Sequence, residues 1–326
     1  MILNPLLQKT WSRFILILFV SLAFPLISIG ASGTSDTLKI AMLPIIDSLP
    51  YYIAQAEGDF KKAGVDLKLI RVMSALNRDQ LMQAGEVDGM LNEMTSAANF
   101  NRKKTQVQVV YTIRSARSNY PMFRLIASPG SRIKTVAGMK GASIGISRHT
   151  IIEYVTDRLL KWKGVHPGTV VKKSIPAIPE RFQLLMQGQI DAAMLPDPLA
   201  SAALGAGATL IIDDAAYPQY SASLFTFSID AISGKSESMK RFFKAWDRAV
   251  ARLNANPEAY RPLMLKHIRV PKNVRNSYRI PEFSRSAVPS KEQWDDVMRW
   301  MVSGKLLTQP LPYRRSVTTS FLPEMN

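Results

Sequence analysis

The sequence predicts an α/β protein of two lobes, each a mostly parallel sheet with helices on both faces. Three observations lead there. Short apolar runs alternate with helix-spaced segments from Leu38 onward. The alternation breaks off near Ile113 and restarts at Ala142. One phrase occurs twice, once in each series: Leu81-Met82-Gln83-Ala84-Gly85-Glu86-Val87-Asp88-Gly89 aligns without gaps on Leu184-Leu185-Met186-Gln187-Gly188-Gln189-Ile190-Asp191-Ala192. In each copy a glycine closes a helix, and an aliphatic residue and an aspartate open a strand.

In order, Leu38 to Leu43 is suited to a buried strand. Asp47 or Ser48 can cap a helix carrying Tyr52, Ile53, Ala56 and Phe60, stopped by Gly64. Val65 to Val72 is the next strand, Leu76 to Ala84 the next helix and Val87 to Leu91 a short strand. Thr95 can cap the helix that follows, before the strand Val107 to Ile113. The second series runs through strand Ala142 to Ser147, helix Ile151 to Lys163, strand Val170 to Ser174 and helix Pro179 to Gln187. It continues with strand Ile190 to Leu195, helix Leu199 to Leu204 and strand Thr209 to Ile212. Past Leu224 the pattern is helical. Ser236 to Asn254 carries Met239, Phe242, Phe243, Trp246, Val250 and Leu253 at helical spacing, a core stripe and not a cofactor box. Pro257 opens another helix to about His267, and Ser290 caps a last one through Met301.

The 326 residues are 47% hydrophobic and 21% charged, enough for about two ordinary domains and unlike a disordered chain. The first thirty residues differ from the rest. Lys9 and Arg13 precede an apolar run, Phe14 to Ile29, and small residues follow at Gly30 to Gly33. That order is a secretory signal peptide over residues 1–31, cleaved between Gly30 and Gly33. The alternative is a retained membrane anchor, although the run is short of the ~20 residues of a spanning helix. With no cysteine, disulfides, thiolate metal sites, a cysteine nucleophile and a lipid-modified cysteine are excluded, so the protein is not a lipoprotein. A periplasmic location is the expectation.

The formal charge is +17, and the signal segment carries two positive charges of it and no acid. The basic residues are spread along the chain, with no long basic tract and no nucleic-acid motif. They read as a solvated surface, attractive to anionic lipid or an acidic partner, and not as a nucleic-acid site.

In open parallel sheets, ligands sit beyond the carboxyl ends of the strands. That rule selects four loops: Pro44 to Pro50, Asn92 to Thr95, Ser147 to Thr150 and Pro196 to Pro198. The candidate ligand-binding residues are Asp47, Ser48, Tyr51, Tyr52, Asn92, Glu93, Thr95, Ser147, Arg148, His149, Thr150, Asp197 and Pro198. Ser147, Thr150, Thr95 and Asp197 also have helix capping as a sufficient reason to be there. Arg148 beside a helix N-terminus favours an anion. Asp47, Glu93 and Asp197 with Tyr51 and Tyr52 favour a heterocyclic or cationic group. Gly145-Ile146-Ser147-Arg148-His149 is not a nucleophile elbow, because position 149 is His. No P-loop or dinucleotide fingerprint is present, and His149, His166 and His267 lack metal-ligand spacing.

The chain resembles the substrate-binding proteins of the nitrate, sulfonate and thiamine-precursor type (SsuA/THI5-like, NMT1-like). The resemblance rests on Leu38-Lys39-Ile40-Ala41, Tyr52-Ile53-Ala54-Gln55-Ala56-Glu57-Gly58-Asp59-Phe60 and Gly64-Val65. It continues in the Gly85-Glu86-Val87-Asp88 phrase, Ile133 to Gly141, Gly188-Gln189-Ile190-Asp191 and Pro196-Asp197-Pro198. It implies a type II periplasmic-binding-protein fold, in which the chain crosses twice between lobes flanking a ligand cleft. We place the crossings near Phe123 to Ser128 and Leu224 to Ile229. Lobe one is then residues 36–124 with 228–326, and lobe two residues 125–227. The resemblance further implies a monomer without cofactor or metal that delivers a small organic solute, of the sulfonate, nitrate or pyrimidine-like class, to an ABC transporter permease. Enzymes of this fold, of the menaquinone or thiamine-pyrimidine pathway type, and a membrane-anchored sensor are the alternatives. The loops Asn92-Glu93-Met94-Thr95 and Ser147-Arg148-His149-Thr150 depart from better-known members, which leaves the ligand open.

Overall fold

The apolar run that opens the first series becomes β1 (Leu38–Met42), buried at every position but Lys39, as suits an interior strand. In a computed structural model describing residues 37–324, β1 pairs in parallel with β2 (Leu67–Arg71) and β3 (Gly89–Asn92). β4 (Val107–Ser115) completes the first series. The second series supplies β6 (Ser143–Ile146), β7 (Val171–Ser174), β8 (Ala192–Pro196) and β9 (Thr209–Asp213). Two more strands, β5 (Phe123–Ala127) and β10 (Ala222–Ser228), are exchanged between the lobes. The sheet orders are β2-β1-β3-β10-β4 and β7-β6-β8-β5-β9, the same arrangement twice.

The sheets are mixed and not wholly parallel. β10 runs antiparallel to β3 and β4, and β5 runs antiparallel to β8 and β9. The reason is topological. The other strands of each sheet end at the cleft, so a strand arriving from the opposite lobe starts at the cleft and points away from it. The runs Phe123 to Ser128 and Leu224 to Ile229, expected as the crossings, therefore lie mostly within these sheet strands. The crossings are the segments just before them, residues 116–122 and 214–221.

The repeated phrase does the same work in both sheets. Gly85 and Gly188 take the left-handed φ values of 71° and 68° that close each helix. Three residues on, the Asp88 carboxylate accepts the Lys39 N–H at the start of β1 at 2.8 Å. The Asp191 carboxylate accepts the Ser143 N–H at the start of β6 at 2.7 Å. The Asp88 and Asp191 carbonyls then accept Ser228 N–H and Ser128 N–H, each at 2.9 Å. Each aspartate thus pins the first parallel strand and the end of the incoming strand to one point.

The predicted helices are present with small shifts. The first is broken at Gly58, giving Leu49–Ala56 and Asp59–Lys62. Thr150 caps Ile151–Trp162, and Ser290 caps Lys291–Ser303 through a capping box with Gln293. Thr95 lies inside its helix, Met94–Phe100, whose N-cap is Glu93. Helix Ser236–Ala255 buries Met239, Phe242, Phe243, Trp246, Val250 and Leu253 completely. Phe225 on β10 meets Phe242, Phe243 and Trp246 edge-on, so this stripe is the core of the first lobe. The signal-peptide expectation falls on residues 1–31, outside the described residues. Among the described residues no helix is long and apolar enough to cross a membrane.

The two crossings run side by side. Ala116 N–H reaches Ser221 carbonyl at 3.2 Å. The buried Asp214 carboxylate accepts the backbone N–H groups of Met122 and Phe123 at 2.9 and 3.1 Å. Burial raises the Asp214 pKa to about 6, above an unfolded value of 3.8. A raised carboxyl pKa favours the folded state while the group is protonated, and that contribution is lost as pH rises from about 4 through 6. His267, whose pKa burial lowers, acts in the opposite sense, so the comparison must isolate Asp214. Relative to Asp214→Asn, the wild type should gain up to about 3 kcal/mol of unfolding free energy between pH 7 and pH 4, at about 1.36 kcal/mol per pH unit. Denaturant titrations of both proteins across that range check it, and parallel curves would refute it.

Candidate functional site

The carboxyl ends of both sheets meet over a cleft that is lined from both lobes. From the first lobe Leu43, Ile45, Asp47, Leu91, Asn92 and Glu93 line it. From the second come Ser147, Thr150, Ile151, Ile152, Ile178 and Pro196. Met122, Phe123, Ala222 and Ser223, at the junctions between the crossings and their strands, line it as well. The cleft wall and the hinge are therefore partly the same residues.

Two carboxylates face the cleft, and each is held by a buried arginine. Asp47 sits in the turn that leads into helix Leu49–Ala56. Arg114 on β4 grips it with Nε at 3.1 Å and Nη2 at 3.3 Å, and Ser223 Oγ on β10 donates to it at 2.6 Å. Glu93 ends the loop after β3. Arg78 on helix Ala75–Gln83 grips it with Nη1 at 3.0 Å and Nη2 at 3.3 Å. Arg78 Nε also donates to Asp79 at 2.8 Å. Both arginine side chains are only 2% exposed, which makes these ion pairs interior ones. Burial acts to lower the Arg78 pKa, but Glu93 and Asp79 outweigh it and hold the guanidinium above its ordinary value. Burial pushes the Glu93 pKa up, and Arg78 pulls it back only in part. Burial likewise acts to lower the Arg114 pKa, and Asp47 leads the contacts that raise it.

The structure brings Asp47, Asn92, Glu93, Ser147 and Thr150 together at the cleft. The other candidates lie elsewhere. Ser48 Oγ donates to Ile45 carbonyl at 2.8 Å inside the turn. Tyr51 packs on Phe60, and Tyr52 stacks on His267 with ring centres 4.0 Å apart, both turned into the first lobe. Thr95 is buried within its helix. Arg148 is half exposed and donates to Lys172 carbonyl at 3.0 Å. His149 is exposed, at a left-handed φ of 61°, and its N–H donates to Glu153 at 2.8 Å. Asp197 is held by Arg124 at 2.5 Å and accepts Ser201 N–H at 3.0 Å in the first turn of the next helix, whose N-cap is Pro198. Asp197 and Pro198 line a neighbouring recess and not the main cleft.

Sequence reasoning missed Arg78, Arg114 and Arg181, all of which line the cleft and are buried. Arg78 and Arg181 lie mid-helix, where an arginine ordinarily reads as solvent-facing. One signal for Arg181 was available: Gly145, a glycine inside strand β6, marks a close approach by something bulky. A Cβ there would stand 2.6 Å from Ile190 Cδ1 and 3.1 Å from Arg181 Cγ. Among the described residues no group of histidine, aspartate or glutamate side chains could hold a metal ion.

The sequence pattern of the NMT1/THI5-like family matches residues 45–260. A protein of Brachyspira hyodysenteriae, named as an ABC transporter periplasmic binding protein, is 24% identical over 245 residues, 70% of this chain and 68% of its own. Among solved structures, the alkanesulfonate-binding protein SsuA from Xanthomonas axonopodis pv. citri, bound to MOPS, superposes with a TM-score of 0.72. It is 13% identical, covering 87% of this chain and 98% of that one. The desulfurization enzyme DszB superposes with a TM-score of 0.61 at 15% identity, covering 86% of this chain and 96% of that one. These two likenesses are in fold; the ligand has to be read from the cleft.

Truncating one member of a buried ion pair strands the other. Arg78→Met should cost about 3–5 kcal/mol of stability by leaving Glu93 without its counter-ion. The double variant Arg78→Met/Glu93→Leu should recover much of that loss. Denaturant midpoints of the two variants check it; a single variant as stable as the wild type would show that the pair is not sealed from water.

Proposed function

The chain belongs to the NMT1/THI5-like family, and on that premise we propose that it is the exported solute receptor of an ABC importer. It catches a small organic solute between its lobes, closes over it by a hinge motion at the two crossings and presents the closed form to the permease. One observation carries this reading: a single cleft is lined by both lobes and by the hinge, so a solute held there contacts every part that moves. The relative of Brachyspira hyodysenteriae supports the importer, and SsuA supports a solute of the sulfonate class. The likeness to DszB keeps an enzyme as the competing reading. Against it, Asp47 and Glu93 are committed to bidentate arginine contacts, which suits holding a ligand better than moving protons. The exported state follows from the N-terminal reading, with the mature chain beginning between positions 31 and 34 and acting as a periplasmic monomer.

Thermal-shift measurements on the secreted protein, over sulfonates, carboxylates, nitrate, pyrimidines and amines, test the receptor. One class should raise the melting temperature, by roughly 1.5 °C per kcal/mol of binding energy for a chain of this size. The same solute should reduce the radius of gyration in small-angle scattering. Turnover of a solute without stable binding would support the enzyme instead. N-terminal sequencing of the secreted form should read from within 31–34, and a chain still carrying Phe14 to Ile29 would mean a membrane-anchored protein.

A further inference from the structure

Three arginines are buried against the cleft, and only two have carboxylates. Arg78 faces Glu93 and Asp79, and Arg114 faces Asp47. Arg181, on helix Ile178–Met186 in the second lobe, is completely buried. Its Nη1 donates to Ile175 carbonyl at 2.9 Å. Its Nε and Nη2 have no hydrogen-bond partner among the described residues. With no carboxylate to compensate, burial lowers its pKa to about 10, still charged at neutral pH. A buried guanidinium with two unpaired donors costs several kcal/mol. Its stem packs close to β6 at Gly145, where a Cβ would stand 2.6 Å from Ile190 Cδ1 and 3.1 Å from Arg181 Cγ.

The opposite wall holds a second unpaired donor. Asn92, at the end of β3, accepts Thr226 Oγ1 at 2.6 Å through Oδ1, while its buried Nδ2 has no partner among the described residues. Both groups line the cleft, one from each lobe. The charged groups of the lining are Arg78, Arg114 and Arg181 against Asp47 and Glu93, with Asp79 behind Arg78, so Arg181 alone of the three arginines faces no carboxylate. Much of the rest is apolar, including Leu43, Ile45, Leu91, Phe123, Ile152 and Ile178.

We propose that Arg181 and Asn92 are the anchors for the head group of a singly charged oxyanion whose apolar body lies on the aliphatic walls of the cleft. The proposal rests on the receptor reading of that cleft and selects its solute class. Heterocyclic or cationic groups, which Asp47, Glu93 and Asp197 with Tyr51 and Tyr52 suggested, are disfavoured: each carboxylate is paired with an arginine and both tyrosines face away. A doubly charged anion would leave one charge without a buried partner. Arg181 contributes two donors on one edge of a planar fork, suited to two oxygens of one head group.

The test uses four probes with one six-carbon body: hexanoate, hexanesulfonate, hexylamine and hexanol, measured on the secreted protein by thermal shift and calorimetry. Hexanoate or hexanesulfonate should bind, and whichever binds more tightly identifies the head group. Hexylamine and hexanol should bind at least tenfold more weakly. Arg181→Met should weaken the anion by roughly 10- to 150-fold, the range for a lost charge-assisted contact. Without ligand it should melt no lower than the wild type, because it removes an uncompensated charge. Arg132→Met, on an exposed arginine of the same lobe, removes the same net charge and should leave binding unchanged. Asn92→Asp keeps the acceptor for Thr226 but replaces the free donor with an oxygen, and should abolish anion binding even if Arg181→Met does not fold. Anion affinity unchanged in Asn92→Asp, or in a folded Arg181→Met, overturns the proposal. So does binding of hexylamine or hexanol in preference to both anions, which leaves the receptor intact. If no solute of any charge binds, the receptor reading falls with it.

Discussion

The structure depends on a strand exchange. Each sheet is completed by one strand that starts at the cleft, having come from the other lobe, so neither lobe can close its sheet alone. That constraint places an antiparallel strand fourth in an otherwise parallel sheet in both lobes. It also forces the chain to cross twice at one place. The two short crossings lie side by side in opposite chain directions, and the Asp214 carboxylate ties them together through two backbone N–H groups. Because β5 and β10 begin where the crossings end, Phe123, Ala222 and Ser223 serve both as hinge neighbours and as cleft wall. A rotation at the hinge therefore reshapes the site directly, without any relay through the lobes.

Within the cleft, buried ion pairs supply orientation more than stability. Desolvating two charges consumes most of what their attraction returns. What Asp47 gains from Arg114 and Ser223 is position: one carboxylate joins the turn after β1 to β4 and β10. What Glu93 gains from Arg78 is the same for the loop after β3. Three parts of the first lobe are thereby held at fixed distances around the ligand space. Among the described residues the second lobe lines the cleft with no corresponding carboxylate, and its arginine is held there only by the Ile175 carbonyl. The asymmetry gives the cleft a polar sense that the twofold repetition of the backbone does not.

Much of the fold could be read from the letters, because period-2 and period-3.6 patterns survive without tertiary context. The repeated glycine-to-aspartate phrase read correctly as two lobes of one design, since a helix stop and a strand start are local chemistry. Strand direction is not local. Phe123 to Ala127 is apolar whichever way it runs, so its antiparallel pairing and the true crossings were not legible. The lining of the candidate cleft was legible where loop position decides it, at Asp47, Asn92, Glu93, Ser147 and Thr150. It was not legible at Tyr51 and Tyr52, because the partners that turn them inward, His267 and neighbouring aromatics of the first lobe, include residues some 200 positions away. Arg78, Arg114 and Arg181 were missed for a related reason: an arginine declares its burial only through partners from other segments.

The lobes also touch away from the cleft, and those contacts bear on what a ligand must do. Asp296, on helix Lys291–Ser303, accepts Tyr154 Oη and Arg158 Nε of the second lobe, each at 2.7 Å. Trp300 Nε1 donates to Asp157 at 3.0 Å. On another side, Asn273 Nδ2 donates to Ala202 carbonyl at 2.9 Å. These contacts draw the lobes together whether or not a solute is present. A ligand shifts the balance between open and closed only by the difference in its affinity for the two. Here the unpaired guanidinium supplies that difference. Arg181 and Asn92 are buried with donors unpaired, and an oxyanion between them satisfies those donors and the charge while a neutral solute leaves the charge uncompensated.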